Sequence, residues 1–189
     1  MKAARRASAC VAAGAAMLAG GAPAADMPPP QTYVDKGGCP FECCTYRDWT
    51  VEHDTVLRAA PDAGAAVVGT LKAHDAVRGV TGEVHARPTR FTVKRAHAGY
   101  KPGDVLMVYT TSGEGFYGVW RHGKLESIEL GLSPDGDTGG ESCEKSSDWC
   151  WGTFDHPLQY VWWVQIKRKD GLSGWSDEPD HFGNKDSCG

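Results

Sequence analysis

Past residue 38 the chain carries almost no helical periodicity. Short runs follow one another in which Val, Thr and aromatic residues alternate with polar ones, each run cut off by Gly, Pro or Asp. A period of two puts one set of side chains on one face of an extended backbone, so these runs predict strands. They fall at 54–58, 66–71, 76–84, 90–95, 104–111, 115–121, 124–130, 160–167 and 172–176. His122-Gly123 and Asp170-Gly171 sit between adjacent runs and supply hairpin turns, where glycine tolerates the positive φ that tight turns demand. The spacing predicts an all-β small barrel and excludes a parallel α/β sheet. Seven Trp, six Tyr and five Phe exclude a disordered chain.

Residues 1–24 read as a secretory signal peptide. Lys2, Arg5 and Arg6 form its charged start, Ala7 to Gly21 its uncharged apolar stretch, and Ala22-Pro23-Ala24 a small-residue cleavage site. The apolar stretch is too short and too rich in Ala and Gly to span a bilayer, so no membrane span is expected in the mature chain. Removal of the leader takes three basic residues and no acidic one from a chain of formal charge −4. A net acidic, exported protein argues against a nucleic-acid partner, and its destination is the periplasm or the outside of the cell.

Cys10 leaves with the leader, and six cysteines remain: Cys39, Cys43, Cys44, Cys143, Cys150 and Cys188. An even count in an exported chain predicts three disulfides. Vicinal Cys43 and Cys44 cannot easily bond each other. Cys143 and Cys150 flank a short loop and can close it. Cys188 then pairs with Cys43 or Cys44 and Cys39 takes the other, which would staple the C-terminal tail to the Cys-containing N-terminal segment, 25–50. These cysteines lack the second paired knuckle of a zinc site and carry no signature of a nucleophile, so no metal is expected there.

Two segments interrupt the strand pattern. Residues 85–101 carry Arg87, Arg90, Lys94, Arg95 and Lys101 with no acidic residue, a candidate docking surface for an anionic partner. Residues 126–148 are acidic and Gly/Ser-rich and could pair with that segment internally. Within them Asp135-Gly136-Asp137 opens like a calcium loop but lacks the later ligands of an EF-hand. No metalloprotease, serine-hydrolase or phosphate-loop motif is present, so the chain is not expected to be an enzyme, and no cofactor is implied.

The stretch Thr55 to Lys72 resembles the opening of bacterial SH3 domains. An Arg-x-x-Pro turn (Leu57-Arg58-Ala59-Ala60-Pro61) precedes a strand ending Val68-Gly69-Thr70-Leu71, then the turn His74-Asp75-Ala76-Val77. The family's closing hairpin is similar to Trp162-Trp163-Val164-Gln165-Ile166, Asp170-Gly171 and Gly174-Trp175. The two matches cover about 55–80 and 160–177, with a long insertion between them that holds its own hairpin, Gly113 to Lys124. The resemblance implies an SH3-like barrel domain over 51–189, elaborated by a hairpin subdomain and long loops inserted at about 85–159. It also implies a non-catalytic module that binds peptidoglycan or another cell-envelope component. Tyr117, Trp120, Trp163 and Trp175, carried by the two hairpins, are the candidate ligand-binding residues. An exported inhibitor or partner of another protein is the alternative reading, and a cell-wall hydrolase a more distant one.

Overall fold

The computed structural model describes residues 27–113, 115–131 and 151–188. Among the described residues all regular structure is β apart from one 3-10 turn, Pro179–His181. The strands are β1 (Tyr33–Lys36), β2 (Asp48–Val51), β3 (Thr55–Arg58), β4 (Val67–Leu71), β5 (Ala76–Arg87), β6 (Thr89–Val93) and β7 (Val105–Gly113). They continue as β8 (Phe116–Arg121), β9 (Lys124–Glu129), β10 (Gly152–Phe154), β11 (Gln159–Lys167), β12 (Ser173–Ser176) and β13 (Phe182–Gly183). Each strand expected from the sequence is present. β1, β2, β10 and β13 are additional, being two to four residues long and too short to show an alternation of their own.

The strands form two sheets. A curled eight-stranded sheet runs β13-β2-β5-β11-β12-β3-β4, with β1 also paired to β5, and a five-stranded sheet runs β10-β6-β7-β8-β9. Twelve-residue β5 is the centre of the larger sheet. β11 lies antiparallel along one side of it from Arg87↔Gln159 to Arg78↔Lys167, while β2 and β1 share its other side. Because Arg87 and Gln159 are partners, the chain leaves the large sheet after β5 and returns to it at the neighbouring position. The intervening residues build the second sheet around a separate core of Phe91, Val93, Leu106, Val108, Tyr117, Val119, Leu130 and Trp151.

The larger sheet curls over a core of Trp49, Val51, Leu57, Leu71, Val77, Val84, Trp162, Val164, Ile166 and Phe182. The alternation of β11 is the reason: Trp162, Val164 and Ile166 share one face and are all buried. A register shift in β5, opposite Gln165 and Ile166, bends the strand. On either side of it stand Gly79 and Gly82. A methyl group built on Gly79 would meet the Trp49 ring at 2.6–2.8 Å, and one on Gly82 would meet the Trp162 indole nitrogen at 2.5 Å. The Trp49 ring atoms and the Trp162 indole nitrogen, with the Tyr46 hydroxyl that it bonds, therefore approach bare backbone more closely than any residue with a Cβ permits.

The hairpins follow their turn chemistry. His122 and Gly123 both have positive φ (50° and 76°), the type I′ arrangement that matches strand twist. After β11 the loop closes with Arg168 N–H to the Leu172 carbonyl (2.8 Å) and Gly171 at φ 92°. No helix among the described residues is long and apolar enough to cross a membrane. Replacing Gly82 with Ala should overpack this junction and destabilise the chain by about 1–3 kcal/mol, read from urea unfolding midpoints. An unchanged midpoint would mean that the indole of Trp162 is free to move away.

Candidate functional site

Two disulfides link Cys39 to Cys44 and Cys43 to Cys188, spanning 5 and 145 residues. Each of the vicinal cysteines thus bonds elsewhere, and the tail is stapled to the N-terminal segment, one of the two arrangements open from the sequence. Cys143 and Cys150, with the acidic stretch from 132 on and its Asp135 loop, lie outside the described residues. Disulfides of this kind place the chain in an oxidising, non-cytoplasmic compartment. Hydrogen bonds reinforce the staple. Thr45 N–H donates to the Lys185 carbonyl (2.8 Å), Ser187 N–H to the Cys43 carbonyl (2.9 Å), and the Asn184 amide to the Asp48 carbonyl (2.6 Å). Cys43, Cys188 and Asp186 gather closely enough to resemble a metal cluster, but both sulfurs are consumed by the bond between them.

The stapled segments wall a cleft of about 690 Å³. Phe41, inside the small ring closed by Cys39 and Cys44, stands edge-on to Trp162 with ring centroids 5.8 Å apart. Tyr160 and Val161, at the start of β11, continue the apolar wall and are 39% and 45% exposed. Glu42, Asp177, Asp180 and Lys185 line the polar side. The floor belongs to the second sheet, where Thr111 and Gly113 close β7. Gly113 has φ 89°, and its absent side chain makes room for the Glu42 backbone, which lies 3.0–3.2 Å from where a Cβ would stand.

Charge is unevenly held in the cleft. Lys185 is largely covered, and its ammonium donates to the Pro179 carbonyl (2.5 Å) and lies 3.9 Å from the Asp180 carboxylate. Burial pushes its pKa down, opposed by Asp180 and Glu52. Asp177, Asp180 and Glu42 face solvent. The cleft therefore joins an aromatic wall to three carboxylates and one cation, a surface suited to a ligand with both apolar and charged groups, such as a peptide.

Trp162 is held by Tyr46, whose hydroxyl accepts from the indole N–H (3.1 Å) and donates to the Gly38 carbonyl.

The four aromatic residues singled out from the sequence do not form one groove. Tyr117 has no exposed surface and packs in the second core against Phe154, 5.6 Å away, so it offers no ligand face. Trp163 is 4% exposed, points to the opposite face of β11 from Trp162, and lies 6.4 Å from the His85 ring. Its packing removes it too from the candidate contacts. Trp175 is half-buried on β12 opposite Arg58 and Gln165. Trp120, half-buried on β8, joins Tyr33 and Tyr109 in a separate aromatic cluster.

Among the basic candidates, Arg87 ends β5 and Arg90 lies on the outer face of β6, 3.5 Å from Asp155. Lys94 and Arg95 follow β6, both donating backbone N–H groups to the Trp151 carbonyl (2.9 and 3.0 Å). Arg90 pairs with Asp155, outside the acidic stretch 126–148, of which residues 132–148 lie outside the described residues. Glu126, in that stretch, instead faces its own hairpin through Lys124 (3.3 Å) and Arg121 (3.9 Å).

Sequence reasoning missed Phe41, Tyr160, Trp162, Asp177, Asp180 and Lys185. One signal was available: an aromatic residue bracketed by Cys39 and Cys43 in so short a ring must be presented outward or packed on whatever the ring covers. The convergence of the tail on that ring had no local signal. Comparison with known protein families, curated proteins and solved structures returns no match for the chain.

Burial raises Tyr46 to about 12, with Asp35 adding to the rise and the Trp162 N–H opposing it. Burial likewise raises Tyr109 to about 12. In the unfolded chain both ionise near 10. At these two sites the folded chain thus keeps protons that the unfolded chain releases, so their contribution to stability is level below pH 10 and falls as pH rises through 10–12. Unfolding followed at stepped alkaline pH should show this fall, and Tyr46→Phe should make it shallower. A Tyr46→Phe curve parallel to the original would show that Tyr46 ionises freely in the folded chain.

Proposed function

We propose that this chain is an exported, non-catalytic binding module of the cell envelope, recognising a peptide component of peptidoglycan in the disulfide-braced cleft. The observation that carries this reading is the cleft itself, which Phe41 and Tyr160 line together with Glu42, Asp177, Asp180 and Lys185. Wall peptides combine aliphatic side chains with free amino and carboxylate groups. Exposed carboxylates suit the first charge, Lys185 the second, and the aromatic wall the apolar stems.

Three further observations support it. The leader-like residues 1–24 agree with the oxidising compartment that the disulfides imply. The two stretches resembling bacterial SH3 domains contribute strands that are contiguous in the large sheet, in the order β5-β11-β12-β3-β4. The intervening insertion does not separate them, because β5 and β11 pair directly. Recognition by loops on a rigid sheet needs no cofactor.

The alternative, docking on an exported protein, is favoured by one feature. β4 is an edge strand of the large sheet, and its Val67 and Val68 are 53% and 38% exposed. Such an edge can accept a strand from a partner.

Sedimentation of the oxidised protein with purified peptidoglycan sacculi, at low and high salt, tests the main reading. Pelleting should occur in both conditions and weaken about tenfold or more in Phe41→Ala, since truncating a central aromatic contact costs about 2 kcal/mol or more. Double replacement of Asp177 and Asp180 by Asn should weaken it mainly at low salt. Absence of pelleting at either salt would reject wall recognition and leave the edge strand as the leading surface.

A further inference from the structure

Residues Met27-Pro28-Pro29-Pro30 run across the second sheet and make two side-chain hydrogen bonds there. The Trp120 indole N–H donates to the Met27 carbonyl (2.8 Å), and the Tyr109 hydroxyl donates to the Pro30 carbonyl (2.5 Å). The two donors stand on neighbouring strands, β8 and β7, with rings 6.3 Å apart. Tyr33 closes the cluster, 5.7 Å from Tyr109 and 6.4 Å from Trp120. Gly123, in the adjoining turn, leaves room for Met27, whose atoms lie 3.4–3.6 Å from where a Cβ would stand.

The spacing of those carbonyls has a conformational cause. Each proline fixes its own φ, and each residue before a proline is pushed out of the helical region, so three consecutive prolines favour a polyproline II helix. That helix has three residues per turn and rises about 3.1 Å per residue. Carbonyls three residues apart therefore point to the same side, about 9 Å apart. Prolines have no N–H, so beyond Met27 the segment can be held by backbone hydrogen bonds only through its carbonyl oxygens. A tryptophan and a tyrosine whose polar tips match one turn of the helix are the chemistry that recognises it.

We propose that the Tyr109–Trp120 face is a receptor site for proline-rich peptides in the polyproline II conformation, occupied in this chain by its own Met27–Pro30 segment. A partner bearing an x-Pro-Pro-Pro sequence competes with that segment for the same two donors. The internal occupant is suited to displacement: Met27 is 59% exposed, Pro28 and Pro29 are exposed, and only Pro30 is half-buried. This site is separate from the disulfide-braced cleft and does not depend on what the cleft binds.

The test uses the full oxidised chain and a synthetic peptide copying residues 25–32, with a second peptide in which the three prolines are glycines as control. Titration is followed by the indole N–H resonances of the protein. Replacing Pro28, Pro29 and Pro30 with Gly in the protein removes the preorganised occupant. The peptide should then bind about tenfold or more tightly than to the unaltered chain, because a site mostly filled from within has its apparent affinity reduced by the unfilled fraction. The control peptide should not bind. In the same triple-glycine background Trp120→Phe, which keeps an aromatic ring and loses the donor, should abolish binding. Tyr109→Phe, which removes a single hydroxyl, should show the same loss and serves in its place if the tryptophan variant fails to fold.

No binding of the peptide by the triple-glycine chain, or binding indifferent to both donor substitutions, would overturn the proposal.

Discussion

Two indole rings lying on bare backbone organise the large sheet. Trp49 covers Gly79 and Trp162 covers Gly82, and the register shift of β5 lies between those glycines. Close approach of this kind buries both indoles and draws β2 and β11 over the central strand, which curls the sheet. Tyr46 locks the arrangement by bonding at once to the Trp162 N–H and the Gly38 carbonyl. Since Gly38 adjoins Cys39, the same contact sets where the first disulfide ring begins.

From that knot the cleft follows. Trp162 presents its edge to Phe41, the Cys39–Cys44 ring holds Phe41 in place, and Cys43 draws the tail alongside through Cys188. Constraining a chain over 145 residues removes much of the conformational freedom of its unfolded state. Locally it also brings Lys185 beside the carboxylates near β12. Exposed ion pairs elsewhere, such as Lys72 with Asp54, contribute little by comparison.

The second sheet is an excursion between two paired strands, and it meets the first through aromatic and glycine contacts. Tyr33 on β1 packs against Tyr109 and Trp120 of the second sheet, and Gly113 admits the Glu42 backbone. Both surfaces to which a binding role is assigned lie at this seam, where neither core covers the side chains that the two sheets bring together.

Much of the fold was legible from residue order alone. Alternation of period two determines which side chains of β11 can be buried together, and Gly after His or Asp determines where the chain reverses. Both are local effects, decided by pleat geometry and by φ within a few residues. The vicinal pair Cys43-Cys44, which cannot easily close on itself, limited the pairings in the same way. The sites were less legible. Tyr117 and Trp163 looked like binding residues because aromatic strand residues read alike whether they face a core or solvent, and only the packing of a neighbouring element separates the two cases. The cleft residues come from positions 41 to 185 and the proline receptor from 27 to 123, brought together by disulfides and sheet pairing over long sequence distances. Strand, turn and cysteine chemistry were determined by the sequence itself, whereas which surfaces remain open was decided by the tertiary structure, because exposure depends on neighbours far away along the chain.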